Sequence, residues 1–100
     1  MGPCCDIVLQ TAASSEVHNI VDAYLGRVAK QIVRHRKGRT WELWLDGRPI
    51  SVFVSDQKES SPAMINFAAS CNSPEDYALL RRLSGDLAVL LGGIATEPVK

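Results

Sequence analysis

Thr40-Trp41-Glu42-Leu43-Trp44-Leu45-Asp46-Gly47-Arg48-Pro49-Ile50-Ser51-Val52-Phe53-Val54-Ser55 consists of two alternating apolar runs joined by Asp-Gly, and its reading decides the fold. Both central residues of a type I′ turn need positive φ, which Asp-Gly tolerates, so this stretch predicts a two-residue β-hairpin. That turn sets the register, with Leu45 opposite Arg48, Leu43 opposite Ile50 and Trp41 opposite Val52. Side chains alternate along a strand, so Trp41, Leu43, Leu45, Ile50, Val52 and Val54 share the core face. Glu42, Trp44, Pro49, Ser51, Phe53 and Ser55 share the other. Pro49 has no N–H and belongs at an edge or at an unpaired site near the turn.

Upstream of the hairpin, residues 5–10 are short, β-branched and alternating, and Thr11-Ala12-Ala13-Ser14-Ser15 breaks them, so a first strand is expected. Val17, Ile20, Val21, Tyr24, Leu25, Val28 and Ile32 then recur at steps of three and four, which predicts an amphipathic helix over about 16–34. Ser14 or Ser15 caps it, and Glu16 lies at the positive end of its dipole. Gly26 on its polar face costs about 1 kcal/mol relative to Ala.

Downstream, residues 56–62 are polar and end in proline, a loop. Residues 63–70 read as a strand with Ile65, Phe67 and Ala69 inward. Ser73-Pro74-Glu75-Asp76 has the cap, the first-turn proline and the acids of a helix start. Leu79, Leu80, Leu83, Leu87, Leu90 and Leu91 supply that helix's buried stripe, and Gly92-Gly93 ends it. Ile94-Ala95 can add a little edge strand, and residues 95–100 read as a loose tail.

These elements predict one α+β domain over residues 1–100. It is a two-layer sandwich ordered β-α-β-β-β-α, with two helices packed on one face of an antiparallel or mixed four-stranded sheet. The order is similar to that of ribosome-associated hibernation factors, whose fold resembles double-stranded-RNA-binding domains. The likeness is one of topology, no motif is shared, and no family is assigned.

Composition narrows the function classes. Hydrophobic residues make up 46% and charged residues 22% of the 100, which suits a self-sufficient core. The 11 basic and 11 acidic side chains cancel, so any attraction to nucleic acid must come from a local cluster. The longest apolar run, Leu87 to Leu91, is far short of the roughly 20 residues that span a bilayer. The first residues have neither the basic start of a secretory signal nor the Ser or Thr that a myristoylation pattern wants. Three cysteines, an odd count, argue against a disulfide framework and for a reducing, cytoplasmic setting.

Chemical motifs are few. Adjacent Cys4 and Cys5 point to opposite faces of a strand and lack zinc-ligand spacing, so neither a metal nor another cofactor is expected. His18 and Asp22 stand four apart on a helix, where mutual support is the common explanation and acid–base chemistry the rarer one. No nucleophile comes with a visible base, and no phosphate-binding glycine loop follows a strand, so no catalytic residues are assigned.

Two surfaces remain. Arg27, Lys30, Arg34, Arg36, Lys37 and Arg39 form a basic segment that can contact phosphates, or can simply solvate a helix end. Trp44 and Phe53 should emerge on the bare face of the hairpin, with Val8, Met64 and Ala68 joining if their strands keep phase and Asn66, Ser51 and Glu42 at the margins. An apolar patch with two aromatics marks an interaction surface more often than bare sheet. The expectation is a small non-enzymatic interaction module that binds a protein partner or itself, with no membrane role. A nucleic-acid or ribosome-associated module using Arg27 to Arg39 is the alternative.

Overall fold

A computed structural model of the chain describes residues 2–35 and 39–100. The elements are β1 (Cys4–Val8), α1 (Ser15–Val28), β2 (Gln31–Arg34), β3 (Thr40–Leu45), β4 (Arg48–Ser55), β5 (Met64–Ala69), α2 (Pro74–Leu91) and β6 (Ile94–Ala95). The fold is α+β with an antiparallel sheet, but the sheet has six strands in the order β2-β3-β4-β5-β1-β6 where four were expected. The added strands also take the element order away from β-α-β-β-β-α.

The hairpin has the register that its turn dictates, with Trp41 opposite Val52, Leu43 opposite Ile50 and Leu45 opposite Arg48. Asp46 and Gly47 take φ of 52° and 75°, the paired left-handed conformation of a type I′ turn. Pro49 lies within a central strand rather than at an edge. Its carbonyl accepts from Ser70 N–H (3.2 Å), so its missing N–H faces the end of β5, beyond the last paired residues.

The first extra strand comes from the stretch read as the end of the first helix. Helix α1 stops at Val28, and Ala29 is already extended (φ −114°, ψ 131°). Gln31–Arg34 then pairs with Trp41–Trp44 of β3. Ile32 satisfies a helical stripe and a β alternation equally well, and the open edge of β3 decides between them. A Cβ at Gly26 would stand 2.9 Å from Arg34 Nη2, the end of a flexible side chain that can move aside.

The second extra strand and the tail close the opposite edge. Gly92 takes φ 70° to end α2, and a Cβ on Gly93 would strike Ile7 (2.7 Å), so the chain passes tightly over β1 there. Ile94–Ala95 pairs with Val8 and Ile7. Residues 96–99, expected to be loose, stay bound, because Thr96 N–H donates to Asp6 (2.8 Å) and Val99 exchanges backbone bonds with Cys4 (2.8 and 2.9 Å).

One buried cluster holds the layers together. Val17, Val21, Tyr24 and Leu25 from α1 and Leu79, Leu80, Leu83 and Leu87 from α2 join the inward side chains of β1, β3, β4 and β5. Leu90, expected in the stripe of α2, is half exposed, and Ser84 and Ala88 are buried in the same helix. Trp41, Phe67, Leu80, Leu83 and Leu87 are among the largest wholly enclosed side chains. Both helices therefore cover one face of the sheet and leave the other bare.

Candidate functional site

The bare face is an orderly array, because each register pair places two side chains in one rung. From the turn outward, the rungs run Gln31, Trp44, Pro49, then Val33, Glu42, Ser51, Ala68, Cys4, Val99. The next is Thr40, Phe53, Asn66, Asp6, and the last is Ser55, Met64, Val8, Ile94. Trp44, Ser51, Phe53, Met64 and Asn66, expected to share this surface, all lie on it. Trp44 and Phe53 are exposed by 36% and 46%, and the other three are partly buried.

The two aromatics do not touch. Pro49, the partner of Trp44, is four residues from Phe53 along β4, a separation of about 13 Å at roughly 3.3 Å per residue. Trp44 sits with Pro49 near the turn. Phe53 instead lies one rung from the row Met64, Val8 and Ile94, so the four share one side of the face across four neighbouring strands. Val33, Ile94 and Val99, exposed by 45%, 61% and 61%, belong to the same face. The sequence reading missed Val33 because it was assigned to a helix, and Val99 because its segment was read as a tail. Ile94 was visible as edge strand without a face.

The polar groups of this surface are largely engaged within the chain. His35 Nε2 lies 3.3 Å from Glu42 Oε2. Asn66 Nδ2 donates to Asp6 Oδ1 at 3.0 Å, and Ser55 Oγ donates to the Met64 carbonyl at 3.3 Å. A partner covering the face leaves no isolated charge without a neighbour among these groups.

Three arginines of the basic segment have partners within the chain. Arg34 Nε donates to Asp22 Oδ1 (2.5 Å), Arg39 Nη1 donates to Asp56 Oδ1 (2.8 Å), and the Arg27 guanidinium lies 5.6 Å above the Tyr24 ring. Lys30 is exposed between α1 and β2. Arg36 and Lys37 lie outside the described residues.

Two buried-edge networks serve packing. Asp22 also accepts from Trp41 Nε1 (2.9 Å), while His18 stacks on Trp41 with ring centroids 5.1 Å apart. Burial opposes charge on Asp22, but the bonds from Trp41 and Arg34 outweigh it and hold the carboxyl below its usual range. His18 and Asp22 thus meet through Trp41 rather than directly.

At the start of α2, Arg48 Nη1 donates to Ser73 Oγ (2.8 Å) and Asp76 Oδ2 (2.9 Å), and the Ser73 N–H donates to the same oxygen (3.0 Å). Asp76 is wholly buried. Its carboxyl is held low by the Ser73 hydroxyl, against the cost of burial, with help from the Ser73 backbone and Arg48. The network fastens the hairpin turn to α2 beside a cleft of about 480 Å³ lined by Asp46, Arg48, Glu75, Ala78, Leu79 and Arg82.

Cys4 is exposed on the open face, and Cys5 is buried on the other, where burial pushes its thiol up. Among the described residues, no three His, Cys, Asp or Glu side chains come together as metal ligands. No helix of the described residues is long and apolar enough to cross a membrane. Compared with protein-family models, with curated proteins and with solved structures, the chain has no significant match.

Proposed function

We propose that the chain is a small non-enzymatic interaction module that binds protein through the open face of its sheet. The observation that carries this reading is where the exposed apolar side chains fall. Of the seven large hydrophobic residues exposed among the described ones, Val33, Trp44, Phe53, Ile94 and Val99 lie on this face, leaving only Val89 and Leu90 on α2. Burying a side chain such as Phe contributes about 1.5–3 kcal/mol, so a partner that covers several of them gains a substantial driving force. The odd number of free thiols suits a cytoplasmic setting. The alternative, phosphate contact through residues 27–39, has less behind it, since Arg27, Arg34 and Arg39 have partners within the chain.

Site-specific photo-crosslinking in cells that make the protein tests the reading. A benzophenone side chain in place of Phe53 is expected to give discrete protein adducts, and the same group in place of Val89, 82% exposed on α2, is not. Adducts at Val89 alone, or at neither position, count against the open face.

A further inference from the structure

The open face has a shape and chemistry that narrow its occupant. In plan, six strands about 4.8 Å apart and about five residues long cover close to 500 Å². Two such faces stacked together bury on the order of 1,000 Å² or more, the range where specific protein interfaces begin. Sheets pack about 10 Å apart through side chains such as Phe53, Met64, Val8 and Ile94.

Charge does not oppose the stacking. Glu42 is beside His35 and Asp6 accepts from the Asn66 amide, so both carboxylates of this face have a neighbour within the chain. The 11 basic and 11 acidic residues leave no net charge to keep two copies apart. The rung through Glu42 and Ser51, which ends on Val33 and Val99, lies between a Trp44 half of the surface and a Phe53 half. A two-fold axis lying between two faces can bring the Trp44 half of one copy onto the Phe53 half of the other, making a self-complementary contact.

We propose that the occupant of the open face is a second copy of this chain, packed sheet against sheet about such an axis. This rests on the reading of that face as an interaction surface and adds the identity of the partner. The assembly has four layers, helices outside and two sheets within. Cys4, exposed on each open face, becomes shielded on association.

Sedimentation of the full chain between about 1 and 300 µM tests it, because self-association by mass action depends on concentration. The expected result is a mass that rises to twice that of the single chain. Phe53→Asp and Ile94→Glu should each weaken association at least thirtyfold, about the loss of one interface anchor, with the circular dichroism spectrum retained. Val89→Asp should leave association unchanged. Should Phe53→Asp not fold, Ile94→Glu, at the short edge strand, carries the comparison alone. In a Cys71→Ser background, Cys4 alkylation should slow as protein concentration rises.

A single-chain mass at every concentration overturns the self-pairing. A dimer insensitive to Phe53→Asp and Ile94→Glu, or broken by Val89→Asp, does the same. If the chain is monomeric while position 53 still crosslinks to a different protein, the interaction surface stands and only its occupant is wrong. If the chain is monomeric and position 53 gives no adduct, both fail.

Discussion

Trp41 and Trp44 stand three residues apart on β3 and occupy opposite environments. Trp41 is 1% exposed, stacks against His18 and donates its indole N–H to Asp22, whereas Trp44 points away from the helices and is 36% exposed. The same contrast separates the two faces of the whole sheet. The covered face holds the core together. The open face carries most of the exposed large apolar side chains among the described residues. An antiparallel sheet covered by helices on one side can leave its other side open to solvent, as this one does.

The largest effects should come from the covered face. Phe67→Ala removes a wholly buried ring from β5 and should cost about 3–5 kcal/mol in urea denaturation, whereas Phe53→Ser on the neighbouring strand should cost under about 1 kcal/mol. A comparable loss from both would erase the distinction between the faces.

Next in size is the network that ties the hairpin to α2. Arg48→Ala takes a donor from the buried Asp76 and should destabilise by about 1–3 kcal/mol. Asp76 and Asp22 both have carboxyls lowered in the folded state. Their contribution is present above the unfolded carboxylate value, about 4, and is lost as pH falls through the lower folded values. Wild type should thus lose stability below about pH 4 more steeply than Asp76→Asn, as thermal melts at stepped pH will show.

Smaller still is the bond between helices, in which Tyr24 donates to Asp86 Oδ2 at 3.3 Å. Burial, aided by Asp86, pushes the Tyr24 phenol up to about 12. A raised acid of this kind stabilises the fold below its unfolded value near 10 and ceases to do so as pH climbs through about 12. Tyr24→Phe should cost about 0.5–1.5 kcal/mol at neutral pH and should delete one late step from the ultraviolet phenol titration.

What the sequence revealed follows the strength of its local constraints. The Asp46-Gly47 turn permits one register, so the rungs and faces of β3 and β4 were legible before any coordinates, including the placement of Trp44 and Phe53. The end of α1 was not, because Gln31-Ile32-Val33-Arg34 fits two periodicities and the choice depends on an edge of β3 that is distant in the chain. The C-terminal segment was illegible for the same reason, since Thr96 and Val99 are held by β1, some 90 residues earlier. The candidate surface was thus seen at its centre and missed at both borders, where Val33 and Val99 widen it. The pairing of Arg34 and Arg39 was also hidden, because Asp22 and Asp56 reach them only through the fold.

The two tryptophans give the most direct test. Urea denaturation of Trp41→Ala and Trp44→Ala, side by side with dilute protein, should show a loss of about 3–5 kcal/mol for the first and under about 1 kcal/mol for the second. A similar large loss for both would contradict the division into a covered structural face and an open one, and would make Trp44 part of the core.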